Sequence, residues 1–286
     1  MSRLYWKPAR TLRELDQAQK LRFACLSEEL DIQLGSGLHV ERDVSSIDCL
    51  DTTEHVLVYH DDVCVGTARV AFPNRDLARR SDTCFGLELE NSLDLRCLAE
   101  LSAQLAEVSR LFVRKRWHGT AAAARLYEGL YVLSRERGAR YWVGGVDCKS
   151  SLRSEAELMF DVLARRGDAS SRYRAPAAPR ALNERQHDAC AEARFYTQEQ
   201  LELAEQGRES ELPVAAALTA FTRRLGATCI GRPVRHPAFP RYVLPMLVDL
   251  EALPEATLRL FDRAQLASLP ALSHPAAGSE ERRLAS

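Results

Sequence analysis

The chain has 286 residues, 46% of them hydrophobic and 28% charged, which excludes a disordered or collagen-like protein and is enough for a substantial core. Lys and Arg number 39 against 40 Asp and Glu, a net charge of −1 that gives no support to a nucleic-acid binder held by bulk charge. No apolar run approaches a membrane span and Met1 to Pro8 lacks the apolar stretch of a secretory signal, so a cytoplasmic protein with no transmembrane segment is expected.

Along the chain, Thr11-Leu12-Arg13-Glu14 reads as a capping box. It opens a helix whose apolar stripe is Leu12, Leu15, Ala18, Leu21, Cys25 and Leu26. A polar loop covers about 31–53. A hairpin follows, with strands His55–Tyr59 and Val63–Phe72 around an Asp61-Asp62 turn. Residues 73–91 read as loop and Leu93–Gln104 as a short helix. The strand Ala106–Val113 then runs through Arg114 to Gly119 into a helix over about 120–137, which Gly138 stops. A strand at Arg140–Val146 follows. Ser154-Glu155-Ala156-Glu157 is a second capping box and opens a helix that ends before Gly167. This β-loop-α-β-α order predicts an α/β protein.

Residues 168–211 are poor in large aliphatics and read as a charged insertion, helical near 196–206. Pro213 is placed to be the first residue of a helix carrying Val214, Leu218, Phe221 and Leu225. Strands at Ala227–Ile230 and Tyr242–Leu250 complete the domain, taken as residues 1–262, and 263–286 reads as a flexible tail. Eight scattered cysteines form no C-x-x-C pair and have no histidine at zinc-finger spacing. They read as small buried hydrophobes, with neither metal nor permanent cofactor expected.

The sharpest chemical signal is Arg116-Trp117-His118-Gly119-Thr120-Ala121, between a strand and a helix. Glycine allows close approach of the backbone, and a helix N-terminus offers unpaired amides and a positive dipole end. Together they suit a phosphate, although a plain strand-to-helix connection with solvated basic residues would look the same.

R-x-x-G-x-A after a strand resembles the phosphate loop of the GNAT acyltransferase superfamily. Within it, Glu107-Val108-Ser109-Arg110-Leu111-Phe112-Val113 resembles the E-x-S-R-x-x-V strand of acyl-homoserine-lactone synthases, shared by N-acyl amino acid synthases and ornithine N-acyltransferases. Leu21-Arg22-Phe23, Asp48-x-x-Asp51, the segment Thr53 to Tyr59, Val65 to Val70, and Leu225 to Pro233 are similar to further motifs of these enzymes, in the same order. The chain departs from their pattern at Ala24-Cys25 and in the long insertion.

The resemblance implies a GNAT fold, a central mixed twisted sheet flanked by helices. It implies an N-acyltransferase that moves a fatty acyl group from the pantetheine thioester of an acyl carrier protein to the amine of an amino acid such as ornithine, or another small amine. Leu111, Phe112 and Val113 would contact pantetheine, and Arg114, Arg116, His118, Gly119, Thr120 and Ala121 would hold its phosphate. Glu107 would be the base or a carboxylate that orients the amine, with Arg110 beside it, or else an exposed strand residue paired with a neighbour such as Arg69. Arg22, Asp48, Asp51 and Arg69 would bind the acceptor. Arg69 and Arg110 could equally form structural ion pairs with Glu107 or Asp48, Asp48 and Asp51 could be a solvated acidic loop, and His55 and His118 read as incidental. Arg114-Lys115-Arg116 with Arg125, Arg135 and Arg137 would suit an acidic carrier protein, or be an ordinary solvated face. Coenzyme A carries the same phosphate. A peptide side chain as acceptor, a homoserine-lactone synthase using S-adenosylmethionine, and a thioester-binding module without turnover stay open, as does peripheral membrane contact.

Overall fold

A computed structural model of the chain describes residues 4–30, 41–179, 193–236 and 241–268. The parts of the expected polar loop, insertion and tail at 31–40, 180–192 and 269–286 lie outside them. The elements are β1 (Leu4–Pro8), α1 (Leu12–Leu30), β2 (Thr53–His60), β3 (Val63–Ala71), α2 (Arg75–Ser81), β4 (Leu105–Val113), α3 (Ala122–Glu136), β5 (Tyr141–Asp147), α4 (Arg153–Arg165), α5 (Gln198–Glu205), α6 (Ala216–Leu225), β6 (Thr228–Cys229), β7 (Val234–Arg235), β8 (Tyr242–Asp249) and α7 (Glu255–Ser268).

The sheet runs β1-β2-β3-β4-β5-β8-β6, with β7 also on β8. Only β4 and β5 pair in parallel, and α3 is their crossover. The result is an open mixed sheet flanked by helices, as expected of a GNAT-type fold. One face carries the main core, where Val56, Val108, Leu126, Leu130 and Trp142 are buried among α3, α4, α6 and α7. The other carries α1, whose Ala18, Leu21 and Cys25 pack on Leu57 and Tyr59.

The first capping box forms as read: Thr11 Oγ1 accepts the Glu14 amide at 3.2 Å, and Glu14 accepts the Thr11 amide at 3.0 Å. The second does not. Ser154 lies inside α4, which starts at Arg153, and Glu157, the glutamate that would close the box, pairs with Arg153 and Arg232 instead. Pro213 is not the first residue of a helix either. Its carbonyl accepts the Tyr196 hydroxyl at 2.9 Å, and α6 starts at Ala216. The stretch 73–91 holds α2 and a 3-10 turn at Glu88–Asn91, while the helix expected at 93–104 is a 3-10 helix over Arg96–Gln104. The N-terminal strand β1 had no strong pattern of its own; pairing with β2 creates it.

Candidate active site

β4 and β5 pair only from Leu105↔Tyr141 to Glu107↔Val143, and then part. Two local features set the point of parting. On β4, Arg110 and Leu111 together oppose the single β3 residue Ala68, and Arg110 adopts φ of 54°, so a bulge bends the strand away. On β5, Gly144 sits so close to β4 that a Cβ there would lie 2.5 Å from the Val108 carbonyl oxygen. Only glycine lets the strands meet at this apex before they diverge.

The divergence opens a cavity of about 480 Å³. Glu107, Ser109, Arg110, Leu111 and Phe112 of β4 form one wall. Gly145, Val146 and Asp147 of β5, with His236 and Val243, form the other. Tyr127 of α3 and Phe221 of α6 meet edge to face at 6.1 Å and close an apolar end. Burial pushes the Tyr127 phenol up from its ordinary range.

Behind the β4 wall lies a buried charge network. Asp48 accepts from Gln19 Nε2 at 3.1 Å, Arg22 at 3.2 Å, Arg69 at 2.9 Å and the Ser45 amide at 3.1 Å. Burial would raise its carboxyl, but Arg22 and Arg69 outweigh this and hold it at about 2. His55 receives Arg22 at Nδ1, 3.4 Å away, so Nε2 carries the proton and donates to the Asp48 carbonyl at 2.9 Å. Burial, with Arg22 beside it, lowers this imidazole to about 4.

Arg69 is fully buried and its donors are engaged within the protein. It bonds Asp48, Glu88 and the Ser109 hydroxyl, and one nitrogen stands 3.6 Å from Glu107. Glu88 also accepts from Arg110 at 3.0 Å and from Ser45 at 2.9 Å. Burial would raise Glu88, yet the two arginines keep it below its usual value. Glu107 accepts the Leu89 amide at 2.8 Å. Burial raises the Glu107 carboxyl; Arg69 opposes this and Glu88 reinforces it. A carboxylate held this way is a stronger base than one in water.

Of the residues expected at the acceptor, Arg22, Asp48 and Arg69 come together but behind the cavity wall, where Asp48 pairs with both arginines. The ion pair with Asp48 that was the alternative for Arg69 is present, whereas Asp48 is buried and does not belong to a solvated acidic loop. Asp51 is not part of the group: it is exposed, in a shallow groove with Asn74 and Arg75. Glu107 and Arg110 do line the cavity. At the mouth, Glu29 and Asp147 each pair with both Lys149 and Arg241.

The loop after β4 stands apart from the cavity lining. Gly119 takes φ of 75° and is exposed, with open space where a Cβ would be. His118 Nε2 lies 2.8 Å from the Val113 carbonyl. The Thr120 hydroxyl donates to the Trp117 carbonyl at 2.7 Å and accepts the Ala122 amide at 3.2 Å. Ala121 immediately precedes α3, so this turn presents the helix's amide end. Arg114 is drawn inward onto the Cys64 carbonyl at 3.1 Å, while Arg116 lies over the Trp117 ring and Lys115 is exposed. Arg125 pairs with Glu128, Arg135 with Glu251 and Arg137 with Glu54, so the basic face expected on α3 is largely neutralised.

The sequence model of the N-acyl amino acid synthase FeeM family matches residues 33–179, which hold β2 to α4 and the Glu107 wall. The chain belongs to this family. It is an acyltransferase of the N-acyl-transferring kind. Among solved structures the chain is similar to FeeM, an N-acyl amino acid synthase from uncultured soil microbes, at 10% identity and a TM-score of 0.48, over 88% of this chain and 93% of that one. It is also similar to MesI, a CoA-dependent acyl-homoserine lactone synthase, at 12% identity and 0.44, over 92% and 95%. A third is the AHL synthase LasI, at 12% identity and 0.45, over 90% and 95%. A search of the curated proteins finds no match.

Sequence reasoning missed Asp43, Glu88, Asp147, His236 and Arg241. Glu88 fell in what reads as loop, and no spacing links it to Arg69 or Arg110. The Ser109 hydroxyl was printed inside the β4 motif, and strand alternation from Glu107 would have placed it on the same face.

Proposed function

We propose that the enzyme transfers a fatty acyl group from a phosphopantetheine thioester to the amine of an amino acid or similar small amine, in the cytoplasm. The observation that carries this reading is the cleft at the β4–β5 parting, which joins a buried carboxylate, Glu107, to an apolar end closed by Tyr127 and Phe221. An acyl chain suits the apolar end, and the reacting amine suits the end at Glu107.

Three requirements of thioester aminolysis have candidate groups here. The thioester oxygen needs a fixed donor where negative charge develops. The bulge takes Arg110 and Leu111 out of regular pairing, and the Leu111 amide is the donor we assign to it. The amine must be neutral to attack, and Glu107 is the base we assign to its proton. The donor arm must be positioned, and we assign its phosphate to the amides at Gly119 to Ala121 with Arg116 and Lys115 alongside. Arg110 would fix Glu88 and Asp43 at the acceptor end.

Acyl carrier protein is the donor we favour, docking at Lys115 and Arg116. Acyl-CoA is a second reading, favoured by the intramolecular pairing of Arg125, Arg135 and Arg137, which leaves less basic surface for a carrier protein. The test is to incubate the purified protein with acyl-carrier-protein and acyl-CoA panels of varied chain length and a pool of amino acids and amines. New N-acyl masses identify donor and acceptor together. Donor binding without product would overturn the reading in favour of a thioester-binding module.

A further inference from the structure

Regular alternation along β4 would aim Arg110 into apolar surroundings. Ala106 and Val108 belong to the main core, and the next residue in that phase is Arg110. The bulge reverses the phase. Beyond it Leu111 and Val113 pack on the main core, while Phe112 packs on the α1 cluster. Arg110 therefore joins Glu107 and Ser109 on the other side of the strand.

The reversal rests on an unusual backbone. Asp61, Asp82, Arg110 and Lys149 are the non-glycine residues of positive φ among the described residues, and of these only Arg110 lies within a strand. Glycine would take this conformation freely. A long charged side chain kept there is an outlier of the kind that marks a functional position.

The guanidinium is firmly held but not fully used. Its Nη2 donates to Glu88 at 3.0 Å, and its Nε stands 3.3 Å from Asp43. Nη1 makes no hydrogen bond with the described residues, and the side chain, 8% exposed, lines the cavity. Neither acid depends on Arg110 alone. Glu88 also binds Arg69 and Ser45, and Asp43 has Arg22 at 3.8 Å. A buried guanidinium with a spare nitrogen suits an anionic oxygen, and its planar fork suits a carboxylate. The pantetheine phosphate is assigned elsewhere, to the turn at Gly119. The substrate that comes to Glu107 is the amine, and Glu107 lies three residues away on the same strand. Three residues of chain span at most about 10 Å, so two long side chains there can engage the two ends of one small zwitterion.

We propose that Arg110 selects the acceptor by its carboxylate. Nη1 takes the carboxylate while the amine lies at Glu107, so the acceptor is a free amino acid and not a plain amine or a peptide side chain. This rests on the N-acyl-transfer reading above. Glu88 and Asp43 act through Arg110, as the residues that orient its guanidinium.

The test uses dodecanoyl-carrier protein and dodecanoyl-CoA with three matched sets of acceptors: the common amino acids with ornithine, their C-terminal amides, and their decarboxylated amines. Wild type, Arg110→Gln and Arg110→Lys are compared by kcat/KM. Arg110→Lys keeps a cation between Asp43 and Glu88, so it is expected to fold even where Arg110→Gln does not, yet it lacks the spare nitrogen. Wild type is expected to acylate the amino acids at least about tenfold better than the amides or amines. Both variants are expected to lose about 10- to 10²-fold toward the amino acids, through the acceptor KM, while the amides, the amines and the donor KM stay within about threefold of wild type. An equal loss toward all three sets, as a merely structural ion pair would give, overturns the proposal. A wild type that acylates amides or amines as well as amino acids overturns it too. In both cases the acyl-transfer reading stands. No product from wild type with any acceptor overturns both.

Discussion

Glu107 and Arg69 sit on adjacent strands with 3.6 Å between carboxylate oxygen and guanidinium nitrogen, and this pair divides the site into two parts. On one side Arg69, Asp48, Arg22 and His55 form a closed electrostatic support. On the other, Glu107 borders the cavity with Ser109 and Arg110. Arg69 restrains the Glu107 carboxyl without cancelling the effect of burial, which leaves a carboxylate of raised basicity at the cleft apex.

Glu107→Gln should cut acyl transfer by about 10²- to 10⁴-fold. Because burial raises the Glu107 carboxyl, the acid limb of the wild-type rate profile should lie above the ordinary 4.5 of glutamate and vanish in the variant. A raised carboxyl costs stability once pH passes the unfolded-state value. Glu107→Gln should therefore melt no lower than wild type at pH 7, measured by thermal denaturation.

Asp48 compensates two buried arginines, so Asp48→Ala should lose about 3–5 kcal/mol in chemical denaturation. The activity of the residual folded fraction should fall as well, since the β4 wall loses its support.

His55 is neutral when folded and lowered to about 4, against 6.5 unfolded. Its contribution is present above 6.5 and lost as pH falls toward 4, because the unfolded chain binds the proton first. Unfolding free energy should decline across this window, with His236, also lowered to about 4, contributing in the same direction. His55→Gln should flatten the decline, measured by denaturant titration at several pH values.

Gly144→Ala places a methyl against the Val108 carbonyl. It should cost about 1–3 kcal/mol and reduce kcat by shifting β4 at the apex. A parallel loss in melting temperature and turnover would check this.

Phe221 closes the apolar end of the cavity. Phe221→Ala should shift preference to longer acyl donors, each added methylene contributing about 0.8 kcal/mol, about fourfold in kcat/KM. Competition among acyl donors of graded length measures it. In contrast, Gly119→Trp should raise the donor KM at least about tenfold and leave chain-length preference unaltered, with about 1–2 kcal/mol of strain at its positive φ.

What the sequence determined by itself was local. The Thr11–Glu14 box, the β2–β3 hairpin, the β4 motif around Glu107 and the turn at Gly119 were each readable, because capping, alternation and left-handed turns depend on neighbours a few residues apart. The tertiary structure decided the rest. Strand register put Arg69 opposite Ser109, and the bulge at Arg110 opened the cleft. Folding brought Glu88, from an unremarkable stretch, onto two arginines, and carried His236 to the cavity lining. It also turned Arg22, Asp48 and Arg69 toward one another and left Asp51 outside. Such partners lie tens to more than a hundred residues apart, and burial makes each charge demand a counter-charge that only the packed chain can supply.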